Sequence, residues 1–388
     1  LFVFECAGCG ATLTAPLSRV ALPVHAHQKY GNGIQLPVLM ETGTFAVELE
    51  PSGPPWRMWE EIDPDEATAR GIHAPVAALS DGPPGAVVIA PGDVRGTQLI
   101  PEKAGGYCCG LDGADGPNMA CEACGLPVAS RIDDCSLWQA VWLAPNAVRR
   151  RRVGVTASLS WSELMETPRT TRPFEPVAPW GSRSGTSHWW SWSPQWGAAA
   201  GRALAHLLAA SERRPVAVPD GPTAEVFRRA LDALLPAGPP ALRAVLAGPG
   251  CPASGTDADL LLVPVHPQTG ELWTPSDGTS GSGGSSGSGG ATAAPAAATP
   301  AATADRSVPL PFGVWRWLAF PEPSPSVLTS SRHAQLLRDD PPEPRPLHPF
   351  RIDSGVFRDT LVRLPAARSP WLREILADLV EHMRAGVF

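Results

Sequence analysis

The sequence predicts an α+β protein: a mostly β N-terminal domain, a small α/β unit, and a partly helical C-terminal region after a flexible linker. Three observations carry this. Short apolar runs rich in β-formers and bounded by Gly or Pro fill the first 165 residues. Helical and strand-like segments alternate between residues 197 and 276. A Gly/Ser and then Ala/Thr/Pro stretch, 277–304, separates that unit from the rest. At 388 residues the chain is too long for one ordinary core, which agrees with several parts.

Residues 1–165 open on Phe2-Val3-Phe4-Glu5, a strand by residue type that runs into a cysteine pair. Gly85 to Ala90, Thr97 to Ile100 and Leu126 to Ala129 read as further strands. Ser136 to Leu143 spaces its apolar residues at helical intervals and is expected to form one short helix on the β layer. Residues 166–196 are Pro- and Trp-rich without a period. Trp180, Trp189, Trp190, Trp192 and Trp196 would pin this irregular connection to a core. From 197 to 276, Ala198 to Ser211 is a helix with Ala203, Leu204, Leu207 and Leu208 on one face. Pro215 to Val218 is a strand, and Pro222 sits where a helix would start. Val226, Phe227, Ala230, Leu231 and Leu234 then recur at helical spacing, and Leu242 to Ala247 and Leu260 to Val265 are short strands. This order implies an α/β unit with a parallel pair. Residues 277–304 have too little apolar surface to order. As a coil, about 30 such residues span roughly 30 Å. The region 305–388 carries two expected helices, around Ser354 to Leu364 and Pro370 to Arg384.

Composition bounds the function. Hydrophobic residues make up 43% and charged residues 18%, a globular balance, and the net charge of −7 repels phosphate backbones. Nucleic acid is therefore not the expected partner, and a protein is. The basic run Arg149 to Arg152 reads as a solvated helix end or loop. With no run of about 18 apolar residues, no membrane span is expected. No basic start leads into an apolar stretch and cleavage site, so no signal peptide is expected either. Eight cysteines in that setting point to a reducing, cytoplasmic compartment, where paired cysteines are metal ligands more often than disulfides.

Four of these cysteines form two copies of C-x-x-C-G: Cys6-Ala7-Gly8-Cys9-Gly10 and Cys121-Glu122-Ala123-Cys124-Gly125. Two intervening residues let the chain turn so that both sulfurs reach one ion at about 2.3 Å. The glycine after the second cysteine supplies the positive φ that leaves the turn. Two such knuckles give the four thiolates of a closed tetrahedral zinc site. These residues resemble a zinc ribbon, in a chain whose Arg-, Ala-, Pro- and Gly-heavy usage is of actinobacterial type. The resemblance implies a structural Zn2+, one per chain, and a hairpin at each knuckle, with Phe2 to Glu5 and Ala11 to Thr14 forming the first. More than a hundred residues lie between the pairs, so the ribbon would carry a large insertion or close late in folding. A thioredoxin-like dithiol is the competing reading. It requires the first cysteine at a helix N-terminus, which the strand-like Ala11 to Thr14 oppose.

The remaining candidates have structural readings beside functional ones. Cys108, Cys109 and Cys135 read as small buried hydrophobes, or as replacement ligands or members of a second site. Cys251 sits in a Gly/Pro turn. His25 and His27 would share a strand face. Asp112 to Asn118 lacks EF-hand ligand spacing and reads as turn chemistry. Asp133 and Asp134 would cap the helix expected at Ser136. Trp189, Trp190 and Trp192 form a stacking platform or, more simply, packing. No spaced catalytic set is present, which favours a non-enzymatic binding or scaffold protein. The alternatives are an enzyme with Asp220 and His266 at the strand ends of the α/β unit, and a nucleic-acid-associated ribbon using Arg149 to Arg152 and Arg131.

Overall fold

The computed structural model describes residues 1–30, 34, 36–106, 108, 110–177, 189–251, 258–275, 306–322, 346 and 348–388. The expected linker 277–304, Cys109 and Trp180 lie outside the described residues. A β-rich N-terminal region, an α/β region and a C-terminal helical region follow one another, as the sequence predicts.

In the N-terminal region β1 (Phe2–Cys6) pairs antiparallel with β11 (Val148–Arg152), Cys6 facing Val148. The chain after the first knuckle returns along the other side of β1. Leu13 donates its N–H to Phe4 O, and Thr12 bridges Glu5. Next to this ribbon lies a seven-stranded sheet in the order β2-β3-β6-β10-β9-β8-β7. Its strands are β2 (Ser18–Arg19), β3 (Thr44–Val47), β6 (Val87–Ile89), β7 (Thr97–Leu99), β8 (Met119–Cys121), β9 (Pro127–Ile132) and β10 (Ala140–Leu143). All neighbours are antiparallel except β2 and β3. A separate hairpin joins β4 (Trp56–Met58) and β5 (Ala78–Ser80), with α1 (Pro64–Ala69) between them.

Both faces of the large sheet are covered, and alternation assigns residues to each. Phe45, Val87, Ile89, Val141 and Leu143 point to the core beneath β1, which also holds Phe4, Leu13, Cys6 and Cys121. Their neighbours Ala46, Val88, Ala90 and Ala140 point the other way, to a core closed by Leu36, Leu39, Met40 and Trp138. This explains a departure from expectation: Ser136 to Leu143 is not a helix but a turn leading into β10. A strand buried on both faces has no polar positions to mark its period of two, so its apolar spacing imitates a helix. The run Arg149 to Arg152 likewise lies in a strand, β11, rather than in a loop or helix end.

After α2 (Trp161–Glu166) and the hairpin β12 (Phe174–Val177) with β13 (Trp189–Trp192) comes α3 (Pro194–Ser211). Four parallel strands follow in sequential order: β14 (Val216–Ala217), β15 (Leu242–Leu246), β16 (Leu260–Val265) and β17 (Ser307–Pro311). The connection from β14 to β15 is α4 (Pro222–Leu234), with Pro222 in its first turn as its residue type dictates. The fourth strand comes from beyond the expected linker and lies at the sheet edge. Pro309 and Pro311 have no N–H, so its ladder to β16 relies on the alternate residues Val308 and Leu310.

The C-terminal helices are α5 (Phe312–Ala319), α6 (Ser354–Leu361), α7 (Pro370–Ala377) and α8 (Leu379–Arg384). The last two divide at Asp378 what the sequence reads as one helix. They share one core with α3, α4 and the parallel sheet, centred on Trp315, Phe227, Leu204 and Phe357. Gln28 ties the β region to this core. It donates to Pro194 O at 3.0 Å and to Asp353 Oδ2 at 2.8 Å, and accepts from Trp138 Nε1.

Candidate metal centre

The two knuckles have the same backbone construction. In the first, Gly10 N–H donates to Cys6 O at 2.9 Å and Cys6 N–H to Ala11 O at 2.8 Å. In the second, Gly125 N–H donates to Cys121 O at 2.8 Å and Cys121 N–H to Leu126 O at 2.9 Å. Gly10 and Gly125 have φ of 79° and 74°, which a Cβ would strain. Each turn is anchored from outside: Ala7 N–H to Ala147 O, and Glu122 N–H to Gly96 O. The first turn ends β1 and the second ends β8, and the sheet carries these strand ends to one place.

All four sulfurs lie within 4.8 Å of one another. Cys6 Sγ is 3.6 Å from Cys124 Sγ, and Cys9 Sγ is 3.7 Å from Cys121 Sγ. Four sulfurs placed at about 2.3 Å around a tetrahedral ion stand about 3.8 Å apart, whereas a disulfide would bring two of them to about 2.05 Å. The four cysteines are free thiols at the first of these spacings. Each knuckle contributes one buried and one exposed sulfur: Cys6 and Cys121 are buried, Cys9 and Cys124 exposed. Leu126 Cδ2 and the sulfurs of Cys6 and Cys124 surround the bare Cα of Gly8.

Electrostatics makes the cluster ask for a cation. Burial opposes charge on Cys6, but the N–H groups of Cys9 and Gly8 point at its sulfur and bring its pKa down to about 7. Cys124 receives the Leu126 N–H, yet the sulfurs of Cys6 and Cys9 crowd it and its pKa is pushed up to about 12. Four thiolates together repel one another unless a positive ion stands between them. The donor set, all sulfur and tetrahedrally spaced, fits zinc.

The other candidates are placed elsewhere. His25 and His27 lie in a turn, not on a strand. His25 is buried against Trp138, while His27 bonds Glu48 at 2.6 Å and stacks on Trp142. Asp112 accepts from Ala114 N–H, the turn chemistry expected of it. Arg131 pairs with Asp133, Arg151 with Glu5, and Arg150 lies over the Phe2 ring. Trp192 donates to His348 O and Trp196 to Thr171 O, both as packing residues. Cys251 is half-buried, and burial pushes its thiol up.

Asp220 and His266 are not brought together in one pocket. Asp220 is exposed, pairs with Arg228 at 2.5 Å, and lines a groove of about 600 Å³ with Arg243 and Asp259. His266 is absent from that lining. Its Nε2 lies 2.8 Å from Leu159 O and its Nδ1 accepts from the N–H groups of Gln268 and Thr269, so one ring nitrogen serves a turn and the other holds the segment before α2.

Sequence reasoning left open one grouping that the structure makes: Cys108, Asp134 and Cys135 converge. Asp134 caps no helix. Its Oδ1 accepts the Cys135 N–H instead. The adjacency of an acidic residue to Cys135 was the available signal, but Cys108 reaches it only through tertiary structure. No family model matches the chain, and neither a curated protein nor a solved structure is found similar to it.

Proposed function

We propose that Cys6, Cys9, Cys121 and Cys124 hold one structural zinc ion per chain, in a non-enzymatic binding or scaffold protein of the cytoplasm whose partner is another protein. The observation that carries this reading is the convergence of four sulfurs, from two knuckles of the same geometry, at the spacing of a tetrahedral thiolate site. Four protein ligands complete the shell and leave no position for a reacting water, so the ion would serve the fold. Free, paired thiols suit a reducing compartment. Elemental analysis of the purified protein should find about one zinc bound to these thiolates. Cys6→Ser and Cys121→Ser should each release it. A zinc content unchanged from wild type in both variants would place the ligands elsewhere and end this reading.

A second reading is supported by the groove beside β14 and β15, which carries the charged residues Asp220, Arg243 and Asp259. It would make the protein an enzyme acting beside the end of β14, where Asp220 follows the strand while Arg243 and Asp259 come from the starts of β15 and β16. Turnover in a broad substrate screen, lost on Asp220→Ala, would favour it over the scaffold.

A further inference from the structure

Nine residues beyond Gly125 of the second knuckle, past the far end of β9, the fold gathers another set of metal-binding side chains. One ligand atom each from Cys108, Asp134 and Cys135 lies within 4.8 Å of the others. The sulfurs of Cys108 and Cys135 are 3.5 Å apart, in a thiol hydrogen bond donated by Cys135 rather than a disulfide. Asp134 and Cys135 are buried and Cys108 is exposed, so the group opens to solvent on one side.

Several features build this arrangement rather than leave it to chance. Leu111 and Asp133 exchange backbone hydrogen bonds, 3.1 Å one way and 2.7 Å the other, clamping the segment after Cys108 against the one before Asp134. Gly110 makes the approach possible: a Cβ there would stand 2.1 Å from Asp133 O. The Cys135 N–H donates to Asp134 Oδ1 at 2.7 Å and fixes the carboxylate beside the sulfurs. Directly after Cys135 the chain turns through Ser136 at φ 70°, a left-handed conformation uncommon outside glycine. It is held there by Ser136 N–H to Ile34 O and Tyr30 N–H to Ser136 O. Strained residues of this kind persist where surrounding structure fixes them, and they gather at ligand sites.

We propose that Cys108, Asp134 and Cys135 form a second metal site, separate from the knuckles, for a thiophilic divalent cation of the zinc type. Two thiolates and one carboxylate oxygen are a zinc donor set, whereas magnesium and calcium take oxygen ligands. The 3.5 Å sulfur spacing is near the edge of about 3.8 Å that two zinc-bound thiolates require. The six residues of β9 put the two sites roughly 20 Å apart, too far to share an ion. With one sulfur exposed and only two thiolates among its described ligands, this site should exchange its metal faster than the knuckle site.

The test is cobalt(II) loading of the full chain under reducing conditions, following metal stoichiometry and the thiolate-to-cobalt charge-transfer absorption. Wild type should bind two equivalents. Cys108→Ser, at an exposed position, should bind one fewer, and Cys135→Ser should do the same. Asp134→Asn should weaken the second equivalent without affecting the first. With a chelator, wild type should release metal in two phases, and Cys108→Ser should lose the fast one. The proposal is overturned if Cys108→Ser binds as many equivalents as wild type, or if thiol titration of the protein as purified finds Cys108 and Cys135 as a disulfide. Failure of the knuckle reading gives a different result: wild type then binds one equivalent and Cys108→Ser none.

Discussion

His25 occupies a place where its charge is costly. Its ring packs against Trp138 with centroids 4.4 Å apart, and its Nε2 is buried with no hydrogen-bond partner among the described residues. Burial lowers its pKa from the usual 6.5 to about 4. The sign of the consequence follows from linkage. Above about pH 6.5 both folded and unfolded forms are neutral and the histidine contributes no pH dependence. Between about 6.5 and 4 the unfolded chain takes up a proton that the folded one refuses, so stability falls as pH falls. A shift of this size corresponds to about 3 kcal/mol lost across that window. Burial lowers His206 in the same direction. Urea unfolding at pH 7 and pH 4.5 should therefore show a smaller acid loss for His25→Leu than for wild type. Equal losses would mean that His25 is not buried in its neutral form.

The helices α3 and α6 approach closely at a glycine. At Gly201 a Cβ would stand 2.6 Å from Asp353 O and 3.0 Å from Phe357 N, and backbone atoms cannot swing away. Gly201→Ala should cost about 2–3 kcal/mol as an overpacked helix contact. Gly92→Ala, where nothing lies within 4 Å, should be close to neutral. Thermal melts of the two variants check this, and equal effects would mean that the helices are not held so close. At this scale the sequence was informative wherever the signal was local. The knuckles were legible because metal geometry dictates a three-residue step and a glycine. The helices α3 and α4 were legible from their apolar faces. The strand β10 was not, since burial on both faces erased its period. Nor was β17, because prolines at 309 and 311 are unusual in a strand and fit there only at a sheet edge. Cys108 joins Asp134 and Cys135 only through a non-local backbone bridge, which no spacing in the sequence announces.

Across the whole molecule, a metal at the knuckles would join chain segments more than a hundred residues apart, clasping β1 to the far hairpin of the large sheet. A cross-link over such a loop restricts the unfolded chain by about 4–5 kcal/mol, on the scale of a disulfide closing the same length. Chelation should therefore loosen residues 1–165 as a body. Amide exchange should rise first on β1, β8 and β11, while α3, α4 and β15, which have their own core, stay protected. Simultaneous loss in both regions would show that Gln28 and its neighbours couple them into one cooperative unit. The parallel sheet has a different consequence. Its fourth strand is delivered from beyond residue 304, so a chain cut between 276 and 304 divides one sheet between two polypeptides. The fragment 1–275 would present the bare flank of β16, a template that invites aggregation. The fragment 306–388 would carry the strand that fits it, with two prolines on its outer side to stop further addition. Co-expressed, the halves should behave as a split protein that reassembles by strand addition, and the solubility of the first half should depend on the presence of the second.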